Sequence, residues 1–138
     1  MAGQSRQGYD FDDTTSIVIQ GCIAVHNAVK AGSRELTYQR ALEIEFGYLG
    51  LEFEREVEIP VYYRGIEIDK RRVDFIVAGC VLEIKAKDCL EPRDLIQTVW
   101  YLKQTNYRVG LLINFGGERI EIKRFVNSKG QADHPTGQ

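Results

Sequence analysis

The stretch RVDFIVAGCVLEIKA, residues 72–86, decides how this chain folds. Two short, mostly apolar runs flank the pair Ala78-Gly79, and this combination predicts two antiparallel strands joined by a two-residue turn. In such a hairpin Val77 faces Cys80, and every other cross-strand pair follows from that register. The segment therefore predicts which side chains meet across the hairpin.

The predicted register brings two acidic side chains together. Asp74 lies directly across from Glu83, and side chains alternate between the two faces of a strand. The face that holds both acids also carries two basic residues, so that four charged side chains share it: Arg72, Asp74, Glu83 and Lys85. The opposite face is apolar and predicts a core: Val73, Phe75, Val77, Cys80, Leu82 and Ile84.

A pair of facing carboxylates needs a cation to hold it together. Opposed residues on neighbouring strands have β-carbons only ~5 Å apart, so like charges repel, and partial burial adds a desolvation cost. Hard oxygen ligands suit Mg²⁺ or Mn²⁺. Lys85 points into the same site, where it can orient a water or stabilise charge on a phosphate. The alternative is a surface salt-bridge cluster, in which Arg72 and Lys85 neutralise Asp74 and Glu83.

The helix predicted after this hairpin carries polar side chains toward the site. Pro92 fits its first turn, and the helix runs to about residue 104. Gln97 and Tyr101 are four residues apart and share one face, so the helix can lay them across the acids. The alternatives are an exposed glutamine at position 97 and core packing of Tyr101. Trp100 is predicted to pack in the core.

Two upstream helices offer candidate metal ligands. The sequence predicts these helices over two segments: 15–30 and 34–46. Ser33 is the expected cap of the second helix, and Gly47 is its expected stop. His26 and Glu35 are the candidate ligands. A single helical histidine is also typical of a hydrogen-bonded structural residue, and a glutamate in the first turn is favoured by the helix dipole alone.

Alternation and turn signals predict a sheet of five to six strands. The predicted strands cover seven segments: 51–59, 61–63, 66–68, 72–77, 80–86, 107–115 and 119–126. Pro60 is expected to kink the strand that runs on through residue 63, and Arg64-Gly65 is typical of a turn. The order ααββββαββ predicts an α/β fold with a central mixed β-sheet flanked by helices. We expect one such domain over residues 15–126, between disordered tails at 1–14 and 127–138.

Composition bounds the possible functions. Apolar residues make up 43% of the 138 residues, enough for one hydrophobic core, and no apolar run approaches the ~18 residues of a membrane span. The first residues contain no apolar secretory segment, so we expect a cytoplasmic protein. The cysteines lack the spacing of a zinc site and are predicted to be reduced. Outside the predicted tails, basic and acidic residues are equal in number, so phosphate binding must depend on local patches or a metal ion.

Several short motifs, taken in order, resemble one known family. The segment GSRELTY, residues 32–38, is similar to the signature of the GxxExxY domains, small members of the PD-(D/E)XK nuclease superfamily. The resemblance extends over residues 17–126 and includes six further segments: AVHNAV at 24–29, VYYRG at 61–65, RRVDFIV at 71–77, LEIKA at 82–86, QTVWYLK at 97–103 and VGLLINFG at 109–116. It implies a restriction-endonuclease-like core and a nuclease that cleaves DNA with Mg²⁺ or Mn²⁺.

The resemblance also implies a role for each residue of the hairpin site. Asp74, Glu83 and the backbone carbonyl of Ile84 would hold the metal, and Lys85 would lie at the attacking water. Together with two helical residues, these side chains complete the set of candidate catalytic residues: Asp74, Glu83, Lys85, Gln97 and Glu35. The candidate nucleic-acid contacts are Arg72, Lys87 and Tyr101.

The helical residues also have counterparts in the superfamily. Gln97 and Tyr101 look like the QxxxY element of recombination-type exonucleases. Those enzymes use a histidine on an early helix as a metal ligand, and His26 would take that place. Glu35 is similar to a helix-borne glutamate near the site. The family often has Gly-Pro where this chain has Lys30-Ala31, so the loop that enters the second helix is more polar here.

Two functions remain open on the sequence. The first is a metal-dependent phosphodiesterase acting on DNA. The second is a catalytically silent interaction or nucleic-acid-binding module on a nuclease scaffold, because fold does not fix function. A homodimer or a partner protein would then supply the basic surface that the neutral domain lacks. Metal binding through Asp74 and Glu83 distinguishes the two.

Overall fold

A computed structural model of the chain describes residues 10–127, which form three helices and five strands. The helices are α1 (Asp10–Val29), α2 (Glu35–Tyr48) and α3 (Pro92–Lys103). The strands are β1 (Phe53–Tyr63), β2 (Ile66–Val77), β3 (Cys80–Lys85), β4 (Val109–Asn114) and β5 (Glu121–Val126). No helix among these described residues is long and apolar enough to cross a membrane.

The five strands form one mixed sheet in the order β1-β2-β3-β4-β5. Strands β3 and β4 are parallel, and α3 is the crossover between them, while every other neighbouring pair is antiparallel. All six residues of β4 are buried, as expected for a strand covered on both faces. This arrangement confirms the predicted α/β class with a mixed sheet flanked by helices.

The predicted order has one strand too many. Residues 66–68 and 72–77 belong to one continuous strand, β2, so the observed order is ααβββαββ. The polar residues between them remain in the ladder, because Lys70 pairs with Pro60 and Arg71 pairs with Ile59. Residues 66–72 are exposed on both faces, so this part of the strand needs no apolar alternation. Pro60 also does not end β1, which continues to Tyr63.

The helix ends differ from the predicted ends. Helix α1 begins at Asp10 rather than at residue 15, so residues 10–14 are not a disordered tail. Gly47 lies inside α2, which ends at Tyr48, and it is Gly50 that has the positive φ of 74° typical of a helix end. Ser33 is not the cap, because Arg34 occupies that position. The predicted disorder at residues 1–9 and 128–138 lies outside the described residues.

Asn127 belongs to the fold rather than to a tail. It is buried, and its side-chain amide donates hydrogen bonds to the carbonyl oxygens of Leu102, Thr105 and Tyr107. These bonds connect the end of the last strand to the segment that follows α3. A single buried amide therefore connects three carbonyls of the segment at and after the end of α3.

The core has two parts, one on each face of the sheet. Helices α1 and α2 cover the first face, where the buried residues include Val18, Cys22, Tyr38, Leu42, Phe46, Phe75, Leu82, Ile84, Leu111 and Phe115. Helix α3 covers the second face with a smaller cluster: Ile59, Val73, Ile76, Val81, Tyr101 and Leu102. The site described below lies on the second face, where the apolar cover is thinner.

The predicted β2–β3 hairpin is confirmed in turn and register. Val77 pairs with Cys80, and the ladder continues through Phe75 and Leu82. Ala78 and Gly79 have positive φ angles of 50° and 80°, as the central residues of a type I′ turn require. The three observed pairs thus have the predicted register, and the ladder ends one position before Asp74 and Glu83.

Alanine substitutions at two glycines should change the free energy of unfolding in opposite directions. Gly47 lies in α2 with open space around its α-carbon, so Gly47→Ala should raise the free energy of unfolding by about 1 kcal/mol. A β-carbon at Gly116 would overlap the backbone of Lys87, so Gly116→Ala should lower it by roughly 1–3 kcal/mol. Urea unfolding measures both. A stabilising Gly116→Ala, or a strongly destabilising Gly47→Ala, would contradict the described packing.

Candidate metal-binding and catalytic site

The site lies where strands β2 and β3 separate. Their backbone ladder ends at the pair Phe75 and Leu82. At Asp74, the residue before Phe75, a side chain replaces the backbone as the partner of β3. Its Oδ2 accepts a 2.7 Å hydrogen bond from the backbone amide of Ile84. A carboxylate thus occupies the place of a strand partner and is fixed by a backbone donor of β3.

A local irregularity places Val73 on the same face as Asp74, toward α3. Phe75 packs under α1 and α2, whereas Val73 packs in the cluster under α3, so simple alternation fails between them. Glu56, which lies opposite Asp74 between two paired neighbours, has a positive φ of 53°. Bulge-like irregularities of this kind redirect side chains beside functional sites. The predicted assignment of Val73 to the same face as Phe75 is therefore wrong.

The same irregularity removes Arg72 from the acidic pair. Arg72 is mostly exposed and forms ion pairs with Glu56 at 3.6 Å and Glu58 at 4.0 Å on β1. Its neighbour Arg71 lies over α3 instead, with its guanidinium 5.6 Å from the ring centre of Trp100. The predicted position of Arg72 on the face of the acids is wrong because simple alternation fails between Val73 and Asp74.

Glu83 is buried beside Asp74, and this environment disfavours its ionised form. Burial raises the pKa of Glu83 to about 9, and the charge of Asp74 and a hydrogen bond to Asp74 add to that rise. Lys85 opposes it and lowers the pKa. The Oε2 atom of Glu83 is buried without a hydrogen-bond partner. Two carboxyl groups therefore share one site with an unsatisfied oxygen.

A backbone carbonyl faces the same place. The carbonyl of Lys85 accepts a 2.8 Å hydrogen bond from Phe115, which directs it toward β4. Successive residues of a strand direct their amide and carbonyl groups to opposite edges, so those of Ile84 are directed toward β2. The Ile84 amide meets Asp74 there, and its carbonyl belongs to the same edge. The site thus offers oxygen donors from Asp74, Glu83 and Ile84.

This donor set fits a small divalent cation. Carboxylate and carbonyl oxygens are hard ligands of the kind that Mg²⁺ and Mn²⁺ prefer, and a cation satisfies the unpaired oxygen of Glu83. Within residues 10–127, no three His, Cys, Asp or Glu side chains form a group that could hold a metal. The side-chain part of the candidate site is therefore limited to two acids.

Two further charged side chains lie within electrostatic range of the acids. Glu35 is on the first turn of α2, where burial raises its pKa, the charge of Asp74 raises it further, and Lys85 lowers it. Lys85 follows Glu83 on β3 and is half-buried. Glu35 is thus exposed on α2 within electrostatic range of Asp74, but it does not join the two acids in a three-ligand group.

His26 is not brought to the acidic pair. It is buried on α1, and its Nε2 lies 3.0 Å from the carbonyl oxygen of Gly117, which requires a proton on that nitrogen. Its ring packs at a tilt against Phe115. These contacts are those of the structural alternative, a hydrogen-bonded histidine that connects α1 to the β4–β5 loop.

Tyr101 on α3 is only 9% exposed and packs in the core cluster on this face, which is the core-packing alternative. Its hydroxyl lies within electrostatic range of the acids. Burial raises the pKa of the Tyr101 hydroxyl, and the charges of Glu83 and Asp74 raise it further. Gln97 is exposed one turn earlier. Trp100 is 39% exposed, so the prediction that it packs in the core is wrong. The indole lies at the edge of the site, over the outer surface of α3.

An ion pair between the partly exposed Lys87 and the buried Asp94 was not predicted. Lys87 Nζ lies 2.9 Å from Asp94 Oδ2, and the same oxygen accepts the backbone amide of Glu91. Burial alone would raise the pKa of Asp94, but these hydrogen bonds outweigh it and hold the pKa below its usual value. The position of Asp94 in the first turn after Pro92 is the sequence signal that would have found it. Lys87, a predicted nucleic-acid contact, is thus engaged within the protein.

The buried side chain of Asn114 also fixes the loop between β3 and α3. Asn114 is fully buried at the end of β4, where its amide donates to the carbonyl of Lys87 and to Glu121. Its Oδ1 accepts the backbone amides of Lys87 and Gly116. The loop from β3 to α3 is therefore fixed on both sides, and this fixes the position of α3 over the acids.

Comparison with known proteins identifies the class. A family model described as the PD-(D/E)XK nuclease superfamily matches residues 12–125, nearly all of the chain that the structure describes. The chain therefore belongs to the PD-(D/E)XK nuclease superfamily, and its α/β fold is consistent with the restriction-endonuclease-like core of that superfamily. No curated protein and no solved structure gives a significant match. Most members are nucleases that use divalent metals, so the superfamily implies a nucleic-acid substrate.

The metal-free protein should lose stability as pH rises. Folded Glu83 keeps its proton up to a pKa of about 9, whereas an unfolded glutamate releases it near 4.5. This stabilisation is complete below 4.5 and is lost as pH rises toward about 9, because only the folded state holds the proton between these values. The effect is at most about 1.4 kcal/mol per pH unit.

Urea unfolding in EDTA at several pH values measures this slope. Glu83→Gln should flatten it and should stabilise the metal-free protein above neutral pH, because the amide is neutral at every pH. Glu54→Gln is the matched control, since Glu54 is exposed on β1. An unchanged slope in Glu83→Gln would show that Glu83 does not hold the proton.

Proposed function

We propose that this chain is a Mg²⁺- or Mn²⁺-dependent phosphodiesterase that cleaves DNA, and that it belongs with the GxxExxY members of its superfamily. The observation that carries the proposal is the pair Asp74 and Glu83, two acids at one point with an unsatisfied buried oxygen. A fold-stabilising salt bridge would pair each acid with a base. Here the second acid, Glu83, has a raised pKa, and we infer that a divalent cation binds between the two acids.

The residues of the pair divide the work of metal binding. Asp74 is fixed by the Ile84 amide, so it presents one oxygen in a constant direction. Glu83 would bind the cation as the carboxylate, with its proton lost to solvent, and the Ile84 carbonyl would add a neutral oxygen donor. A bound cation neutralises phosphate charge and lowers the pKa of a water. His26 is left out of this set, because its Nε2 is engaged with Gly117.

Lys85 and Glu35 act on the reacting groups from two sides. Lys85 carries a positive charge next to the acids, where it orients the attacking water and stabilises charge on the phosphate. Glu35 on α2 is a second carboxyl near Asp74 and receives a proton or holds a water. Gln97 and Tyr101 on α3 face the strand that enters the site and contact its backbone.

Exposed basic side chains make the phosphate contacts away from the reacting bond. Arg72 is available, because its ion pairs with Glu56 and Glu58 are long and exposed, and such pairs contribute little free energy. Lys87 has a fixed partner in Asp94 and acts by positioning α3. Because the domain is close to neutral, a homodimer or partner protein would strengthen DNA binding.

Cleavage of plasmid, linear and single-stranded DNA in Mn²⁺ tests the proposal. Asp74→Ala and Lys85→Ala should each reduce cleavage by at least about a hundredfold, since one removes a metal ligand and the other the charge at the water. Both variants should unfold cooperatively, as the wild type does. Glu54→Ala and Lys123→Ala are the matched controls, because both residues are exposed outside the site.

Two results would contradict the proposal. Undiminished cleavage in Asp74→Ala or Lys85→Ala would remove the assigned site. Mn²⁺ binding without cleavage of any of the three DNA forms would favour the alternative, a silent module on a nuclease scaffold.

A further inference from the structure

An exposed tryptophan lies directly beside the candidate site. Trp100 is 39% exposed, although large aromatic side chains usually lose most of their surface on folding. It precedes Tyr101, whose hydroxyl is within electrostatic range of Glu83 and Asp74. The two rings meet edge to face, with centres 6.0 Å apart. The exposed indole is thus one residue away from the side chain that approaches the acids.

The indole is held between a cation and an open groove. The guanidinium of Arg71 lies 5.6 Å from the ring centre and approaches from β2. Along α3, the ring also lines a groove with Leu95, Ile96, Val99 and Lys103. The groove has a volume of about 330 Å³, and its apolar side chain Ile96 is 69% exposed. Two basic groups, Arg71 and Lys103, therefore border an accessible aromatic surface.

We propose that Trp100, Arg71 and this groove form a stacking site for an unpaired nucleotide of the DNA strand that enters the catalytic site. The proposal rests on the proposed function, because it places the nucleotide beside the phosphodiester bond at Asp74 and Glu83. It predicts a preference for single-stranded or frayed DNA over blunt duplex.

The chemistry of the surface favours a nucleotide over an apolar partner. An aromatic ring offers a base a stacking surface that accepts any sequence, and arginine adds both cation–π attraction and a phosphate contact. Arg71 has one ion pair, with Asp69 at 3.4 Å, and that pair is exposed, so exchange for a phosphate costs little. An apolar protein surface would leave both bordering cations without compensating charge.

Position also favours the substrate strand. Trp100 is in ring contact with Tyr101, whose largely buried hydroxyl lies within electrostatic range of the acids, and the exposed Gln97 lies one turn earlier on the same helix. A strand that crosses the exposed face of α3 therefore meets Gln97 at its backbone and Trp100 at a base. A base stacked on Trp100 is unpaired from its duplex partner and unstacked from its neighbours. We therefore expect tighter binding of single-stranded or frayed DNA than of blunt duplex.

The sole tryptophan of the chain makes a direct measurement possible. In EDTA, titration of the wild-type protein with a short oligothymidylate should change Trp100 fluorescence in a saturable way. A blunt duplex of the same length should bind at least about tenfold more weakly by this signal. The absence of any saturable change with single-stranded DNA would overturn the proposal, whatever the protein cleaves.

Variants separate stacking from general binding. With a dye-labelled oligothymidylate, Trp100→Ala should weaken binding about tenfold, whereas Trp100→Phe should remain within about threefold of wild type. Arg71→Gln should weaken binding and reduce its dependence on salt. Tyr48→Ala is the matched control, because Tyr48 is an exposed aromatic residue on α2. Equal affinity of Trp100→Ala and wild type would overturn the proposal.

Two further outcomes are informative. Saturable fluorescence change without cleavage in Mn²⁺ would support the stacking site while contradicting the proposed catalytic function. Conversely, Trp100 fluorescence that changes with protein concentration and not with oligothymidylate would identify the groove as a contact between copies of this chain, and would overturn the stacking site without touching the catalytic proposal.

Discussion

The structure depends on the placement of two carboxyl groups at the point where strands β2 and β3 separate. Asp74 is held by the Ile84 amide, and Glu83 is buried beside it with one oxygen unsatisfied. Burial and the neighbouring charge raise the pKa of Glu83, so ionising both acids in the folded protein is unfavourable unless a cation lies between them. The arrangement costs stability in the metal-free protein. Such a cost is characteristic of functional sites rather than of structural ones.

The surrounding fold keeps the pair in position. The β3–α3 loop is fixed by Asn114 from the end of β4 and by the Lys87–Asp94 ion pair from the first turn of α3. These contacts set where α3 crosses the sheet, and α3 in turn sets the position of Tyr101 over the acids. The polar network serves the site without touching the reacting groups. Because each member is hydrogen-bonded, the loop resists the charge repulsion that the acids create.

The sequence predicted the proximity of the two acids better than the positions of the residues around them. Turn chemistry at Ala78-Gly79 fixed the register, and the register fixed the meeting of Asp74 and Glu83, since both are local properties of one hairpin. Arg72 and Val73 were misplaced because a positive φ at Glu56, a feature with no composition signal, changes which face the chain presents. Trp100 was misassigned because helical spacing does not reveal what covers a helix. Asn114 contributes through long-range contacts that no local pattern shows, whereas Asp94 could have been found from its place in the first turn after Pro92.

Calorimetric titration with Mn²⁺ tests the shared-cation account most directly. Wild-type protein should bind the ion and release close to one proton at neutral pH, because the cation displaces the proton of Glu83. Asp74→Asn and Glu83→Gln should each weaken binding at least about tenfold, and Glu83→Gln should also abolish the proton release. Equal affinity of both variants and the wild type would contradict the account, since the ion would then be held elsewhere.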